Sequence, residues 1–313
     1  MTASTYRPSQ AGPSADRPRP TTAIARRAAL VVVGSAVLFV LVYLLASRTG
    51  TGQRFENAVW FGATSTQRAI QASNALGWIG DTSGSVAVAG IFLIGLLRRR
   101  LVLAFAGVGV VLASVGTAEF LKDVLSRPNL VPFESSPGGN SFPSGHTSVA
   151  MAVMFALVLV VPYRIRGLVA FCSAALATEI GALTIIARWH RPSDTIGADL
   201  IALGYASLAV LILAGLGHVR AAEPGSPSGE TARKVFAFVP LAIGTATALT
   251  GALLFGAVTY YHRLELTPVF ETFHAAFLTG CLIALAGSGL AALTFLWLLG
   301  RFELVPAAGR KVQ

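Results

Sequence analysis

From Ala28 to Ser47 the chain carries no charge, over about the 20 residues a helix needs to cross the hydrocarbon core of a bilayer. A helix with no polar stripe has no face to turn to water. The segment is also too long, and starts too far into the chain, for a cleaved signal peptide. Seven more apolar stretches follow: Ile79 to Leu97, Leu101 to Leu121, Ser144 to Pro162, Gly167 to Ala187, Thr195 to Leu216, Val235 to Val258 and His274 to Leu299. Asp81 leaves the first of these short. Charged residues make up only 12% of the chain, about half the share of a soluble domain. The fold class expected is therefore all-α: a polytopic integral membrane helical bundle of eight spans.

Basic residues in the connecting segments orient the bundle. With a cytoplasmic N-terminus, 16 of the 24 Lys and Arg residues fall on the inner side, including Arg26, Arg27 and the run Arg98 to Arg100. Four of the other eight, Lys122, Arg127, Arg188 and Arg191, belong to polar clusters that give them a separate reason to be outside. The protein is expected in the cell membrane with both termini cytoplasmic. Its net charge of +10 then reflects inner-side topology and attraction to anionic headgroups. Membrane lipids are the expected partners and nucleic acid is not, since no folded aqueous domain carries a basic face.

Residues 1–25 read as a disordered cytoplasmic tail, rich in Pro, Ser, Thr and Ala with no apolar period. Residues 26–218 form a six-helix core and residues 219–234, with their Glu-Pro-Gly-Ser-Pro-Ser-Gly run, a cytoplasmic linker. A two-helix hairpin over 235–300 and a tail over 301–313 complete the chain. The outer segment from Arg48 to Gly77 is amphipathic around Phe55, Val59, Trp60 and Phe61, as an interfacial helix would be.

The polar clusters all fall on one side of this topology. Lys122 ends the third span, Ser144-Gly145-His146 opens the fourth, and His190 to Asp194 joins the fifth to the sixth. Convergence of three separate regions on one face is the pattern of an active site. Taken singly, each has a plainer reading: a Lys at a helix end snorkels, and His190 with Asp194 caps a helix.

These residues resemble the three signature motifs of the type 2 phosphatidic acid phosphatase (PAP2) superfamily, lipid phosphatases related to the vanadium haloperoxidases. The likeness rests on Lys122 with Arg127-Pro128, Pro143-Ser144-Gly145-His146, and His190 with Asp194 four residues later, within residues 28–217. Two arginines depart from the pattern. Lys-x6-Arg-Pro would place Arg and Pro where Asn129 and Leu130 stand, and Ser-Arg-x5-His-x3-Asp would place Arg at Thr184. Arg127, Arg188 and Arg191 lie close enough for displaced guanidinium groups to serve instead.

The resemblance implies that His190 attacks phosphorus to form a phosphohistidine, that Asp194 fixes its tautomer, and that His146 protonates the leaving oxygen. Ser144 and Gly145 at a helix N-terminus form a phosphate cradle, and Lys122 and Arg127, with Arg188, complete the anion site. No metal and no other cofactor is implied. The expected substrate is a lipid phosphate or diphosphate at the outer face. A lipid-phosphate binder or scaffold that has lost turnover is one alternative, motivated by the displaced arginines. A transporter is another, with only Glu119 and Glu179 in its favour.

Glu119, three residues before Lys122, is placed to pair with it; Glu179 has no assigned partner. Cys172 and Cys281 lie in apolar helices and are expected to pack without a disulfide. His218, His262 and His274 sit at span ends as interfacial residues, and Gly244, Gly251, Gly287 and Gly289 serve close helix packing.

Overall fold

The computed structural model describes residues 20–79, 81–131, 139–221, 238–262, 270–300 and 302–305. Residues 1–19 of the expected N-terminal tail, most of the 219–234 linker and most of the 301–313 tail lie outside the described residues, whereas residues 20–25, expected in the disordered tail, form the first turns of a helix that buries Ile24. Ten helices are present among those described: α1 (Pro20–Ser47), α2 (Gly50–Gly62), α3 (Thr66–Gly77), α4 (Asp81–Leu97), α5 (Leu101–Val124), α6 (Gly145–Val160), α7 (Arg166–Ile186), α8 (Pro192–Gly215), α9 (Val239–His262) and α10 (Phe270–Leu299). Six are long and apolar enough to cross a membrane, and the apolar runs of α4 and α6 are shorter. The all-α polytopic bundle expected from the sequence is the fold observed.

Helices in lipid gain little from hydrophobic exclusion of one another and associate through close van der Waals packing. Small residues therefore sit at the contacts. A Cβ on Gly95 would stand 2.5 Å from that of Ala104, which draws α4 onto α5, and Gly107 lies beneath Ile91 and Val160. The short α6 is the central post, with Met151, Phe155 and Leu159 fully buried. The Phe155 ring meets Phe295 of α10 edge-on at 4.7 Å, the geometry that aromatic quadrupoles favour. By contrast, α1 packs along α8 and turns Leu30, Val33, Val37 and Leu41 outward, as its charge-free sequence requires.

Two features differ from the sequence reading. The segment after α1 forms two helices, capped by the Thr49 and Ser65 hydroxyls, and α2 buries Gln53, Glu56 and Asn57 as well as Val59. Part of the presumed linker and tail is ordered: β1 (Val219–Ala221) pairs antiparallel with β2 (Phe302–Leu304). Arg166 at the start of α7 donates to Phe302 O at 2.8 Å. This ribbon closes the end of the bundle opposite Lys122, Gly145 and Asp194.

Candidate active site

Four helix ends, those of α5, α6, α7 and α8, meet at the other end. α7 stops in a Schellman motif, with Trp189 N donating to Thr184 O at 3.0 Å and Arg188 N to Ile185 O at 2.9 Å. Arg188 takes the left-handed conformation, φ +59, where glycine is usual. His190 N also reaches Thr184 O, at 3.2 Å, so the residue at the expected arginine position acts through its carbonyl to set the backbone of His190.

Pro192 then opens α8, and Asp194 at its third position closes a capping box by accepting from Arg191 N at 2.9 Å. The same oxygen, Oδ2, accepts from Ser141 Oγ at 2.6 Å and lies 3.2 Å from His190 Nδ1. Asp194 is fully buried, and an ionised carboxylate there needs such donors. A proton on Nδ1 directed at Asp194 leaves the lone pair on Nε2. The His190 side chain remains 11% exposed, enough to be reached from outside.

α6 begins against this turn. Ser144 N donates to Asp194 O at 3.0 Å, while Ser144 Oγ accepts from Thr147 N at 3.3 Å as the N-cap. Ser144 thus spends its amide and its hydroxyl on architecture, and the positive helix end is presented at Gly145. A Cβ on Gly145 would sit 3.1 Å from Lys122 Nζ and 2.7 Å from Glu119 Oε1, so this glycine lets the lysine of α5 lie against the helix start. Lys122 pairs with Glu119 at 2.7 Å. Asn140 joins the pieces by donating to Lys122 O and Phe142 O at 3.2 and 2.9 Å. The His146 ring packs beside Trp189, with centroids 5.3 Å apart.

Lys122, Gly145, His146, His190 and Asp194 are therefore brought together. Arg127 is engaged in an ion pair: its Nη2 lies 2.7 Å from Glu56 Oε2 of α2, the two side chains only 7% and 3% exposed. Removing one member of such a buried pair costs about 3–5 kcal/mol. Burial pushes the Glu56 carboxyl above its ordinary range; Arg127 opposes this and Asp194 adds to it. Arg188 keeps a buried Nε with no hydrogen-bond partner among the described residues.

Arg191, one of the three arginines close enough in sequence to replace the missing ones, is buried. It donates from Nη1 to Ser141 Oγ at 2.9 Å and lies over the Trp60 ring at 5.8 Å. Burial, then the nearby Arg127 charge, lowers its guanidinium from the ordinary value, against the pull of Asp194 and Glu56. Ser141 and Glu56 are further members that the sequence reading passed over. Ser141 had a weak signal, three residues before Ser144. Glu56 had less, because a helix that buries its polar face reads inside out on hydropathy. Asp199 was also missed: fully inside the bundle, it accepts from Ser288 Oγ of α10 at 2.7 Å. Glu179 lies on the exposed face of α7, and Cys172 and Cys281 are both free.

Residues 99–217, which take in α5 to α8, match the family model described as the PAP2 superfamily. No curated protein and no solved structure matches the chain.

Proposed function

With residues 99–217 identified as a domain of the PAP2 superfamily, a phosphatase-type superfamily, we propose that this protein hydrolyses a lipid phosphate or diphosphate at the outer face of the membrane through a phosphohistidine at His190. The observation that carries the reading is the His190–Asp194 pair beside the start of α6, with Lys122 Nζ against Gly145. Nucleophile, anion site and proton donor then share one end of the bundle.

In the first step the Nε2 lone pair attacks phosphorus and the bond to the leaving oxygen breaks, its electrons going to that oxygen. His146 supplies the proton the alkoxide or phosphate needs. Asp194 stabilises the imidazole as it becomes positive. Lys122 and the N-terminal dipole of α6 at Ser144 and Gly145 balance charge on the equatorial oxygens. Arg188, two residues before His190, has an unclaimed donor, and Arg127 acts from behind its ion pair. In the second step water attacks phosphorus, His146 takes its proton, the P–N bond breaks and inorganic phosphate leaves. Every charge needed comes from side chains and the helix end.

A groove of about 310 Å³ between α1, α5 and α8, lined by Phe39, Val40, Leu121, Leu200 and Tyr205 among others, supports a lipid substrate. Phe39 packs on Phe142 at 5.1 Å and Leu121 precedes Lys122, so one hydrocarbon chain can lie there with its headgroup at the site. Phosphate release from phosphatidate, phosphatidylglycerophosphate and a polyprenyl diphosphate in detergent tests the reading. Release from at least one is expected. Binding without release would favour a lipid-phosphate binder, the reading that Arg127's engagement with Glu56 also supports.

A further inference from the structure

Gln53 and Glu56 lie three residues apart on the buried face of α2, outside the matched segment. The Gln53 amide donates from Nε2 to Pro128 O at 2.6 Å and Ser47 O at 2.8 Å, and accepts from Leu130 N at 3.0 Å. Glu56 holds Arg127 at 2.7 Å and accepts from Ser193 N at 3.4 Å. One turn of helix thus grips residues 127, 128 and 130 after α5, together with the residue just before Asp194. A buried ion pair is a poor way to gain stability alone, since apolar residues of the same volume serve as well. Carboxylate and amide together do what apolar groups cannot: they fix the direction of a guanidinium and of four backbone groups.

The face of α2 that carries these residues is seated on the terminal hairpin. A Cβ on Gly280 of α10 would lie 2.7 Å from Val59 Cγ1 and 2.9 Å from Pro192 Cγ. At this one glycine α10 touches α2 and the first residue of α8. At the far end of α2, Gly62 abuts the backbone of Phe273. Glycine here permits a close approach that any side chain would break.

We propose that Gln53 and Glu56 are positioning residues that clamp the Arg127–Leu130 segment to the first turn of α8, and that the α9–α10 hairpin is the backing that holds this clamp against the site. The proposal rests on the phosphatase reading for its catalytic consequence, and it gives the hairpin a role in the chemistry through the contact of Gly280 with Val59 and Pro192.

The test uses the full chain in detergent with Glu56→Gln, Glu56→Asp and Gly280→Val, read by steady-state kinetics on dioctanoyl phosphatidate and by hydrogen–deuterium exchange. Glu56→Gln is nearly isosteric and keeps hydrogen-bonding capacity but leaves the Arg127 guanidinium without its counter-charge, so it is read beside Glu56→Asp, which keeps the charge. It should lower kcat by about 10²-fold, the scale of a small misplacement of reacting groups, with KM within twofold, and Glu56→Asp should restore part of the loss. Glu56→Gln and Gly280→Val should each speed exchange in both 125–131 and 190–196. A purely structural Glu56 would lower thermal stability and leave the kcat of the folded protein unchanged; that result, or unchanged exchange in the two segments, would overturn the proposal. Faster exchange in both segments with no turnover by the wild-type protein would uphold the clamp and dismiss the phosphatase reading instead.

Discussion

At the residue scale the weight falls on two imidazoles and one guanidinium. His190→Ala should abolish turnover, because no other side chain beside Asp194 can form the phosphoenzyme. His146→Ala should slow alkyl phosphates far more than aryl phosphates, whose leaving groups need no proton; equal losses on both would remove its role as acid. Arg191 is the residue whose expected importance changes most between sequence and structure. It is buried and bonded to Ser141, which in turn donates to Asp194, so Arg191→Ala leaves the Asp194 cage short of a partner. A fall in kcat of about 10²-fold or more is expected, the scale of losing a charged, preorganised donor. A rate within threefold of wild type would return Arg191 to the status of a bystander. Side-chain type and order along the chain were enough to bring Lys122, His146, His190 and Asp194 together on paper, since each ends or begins an apolar span. The local pair of Lys122 with Glu119 was legible too, but long-range partnership was not: nothing local tells Arg127 that its neighbour is Glu56, about 70 residues upstream, because that pairing depends on how α2 folds back.

At the scale of elements, Lys122, His146, His190 and Asp194 each stand at or beside a helix terminus, and the termini explain their placement better than motif spacing does. α7 ends on Arg188 in a conformation that costs a non-glycine residue about 1 kcal/mol, and strain of this kind collects where function demands a side chain. Arg188→Gly should therefore match or raise the thermal midpoint of the wild type while lowering kcat/KM for lipid phosphate. Thermal unfolding and kinetics on the same preparation check both halves; a stable variant with full activity would make Arg188 only a helix end. The helices themselves were legible because uncharged runs of bilayer length permit little else. α2 was the exception. Its buried face holds Gln53, Glu56 and Asn57, so its amphipathicity points the opposite way from the rule, and the helix was read as resting on the membrane surface. The β1–β2 ribbon was hidden for a different reason: three-residue strands carry no periodicity to detect.

At the scale of the whole molecule, one end of the bundle gathers the chemistry and the other is tied off by the β1–β2 ribbon, with α7 spanning about 30 Å between them. From the bias of basic residues in the sequence we propose that the chemical end faces outside. A protein with Cys172 and Cys281 replaced by Ala and a single Ser65→Cys should react in intact cells with a membrane-impermeant maleimide, whereas Gly217→Cys should react only after permeabilisation. The reverse pattern would put the site in the cytoplasm. The central claim, covalent catalysis by His190, is tested most directly by trapping. Protein mixed with a lipid phosphate radiolabelled at phosphorus and quenched within the first turnovers should carry label that is stable to base and labile to acid, located on His190 by peptide mapping and absent from His190→Ala. Full turnover with no trapped label, or equal label in His190→Ala, would contradict the account.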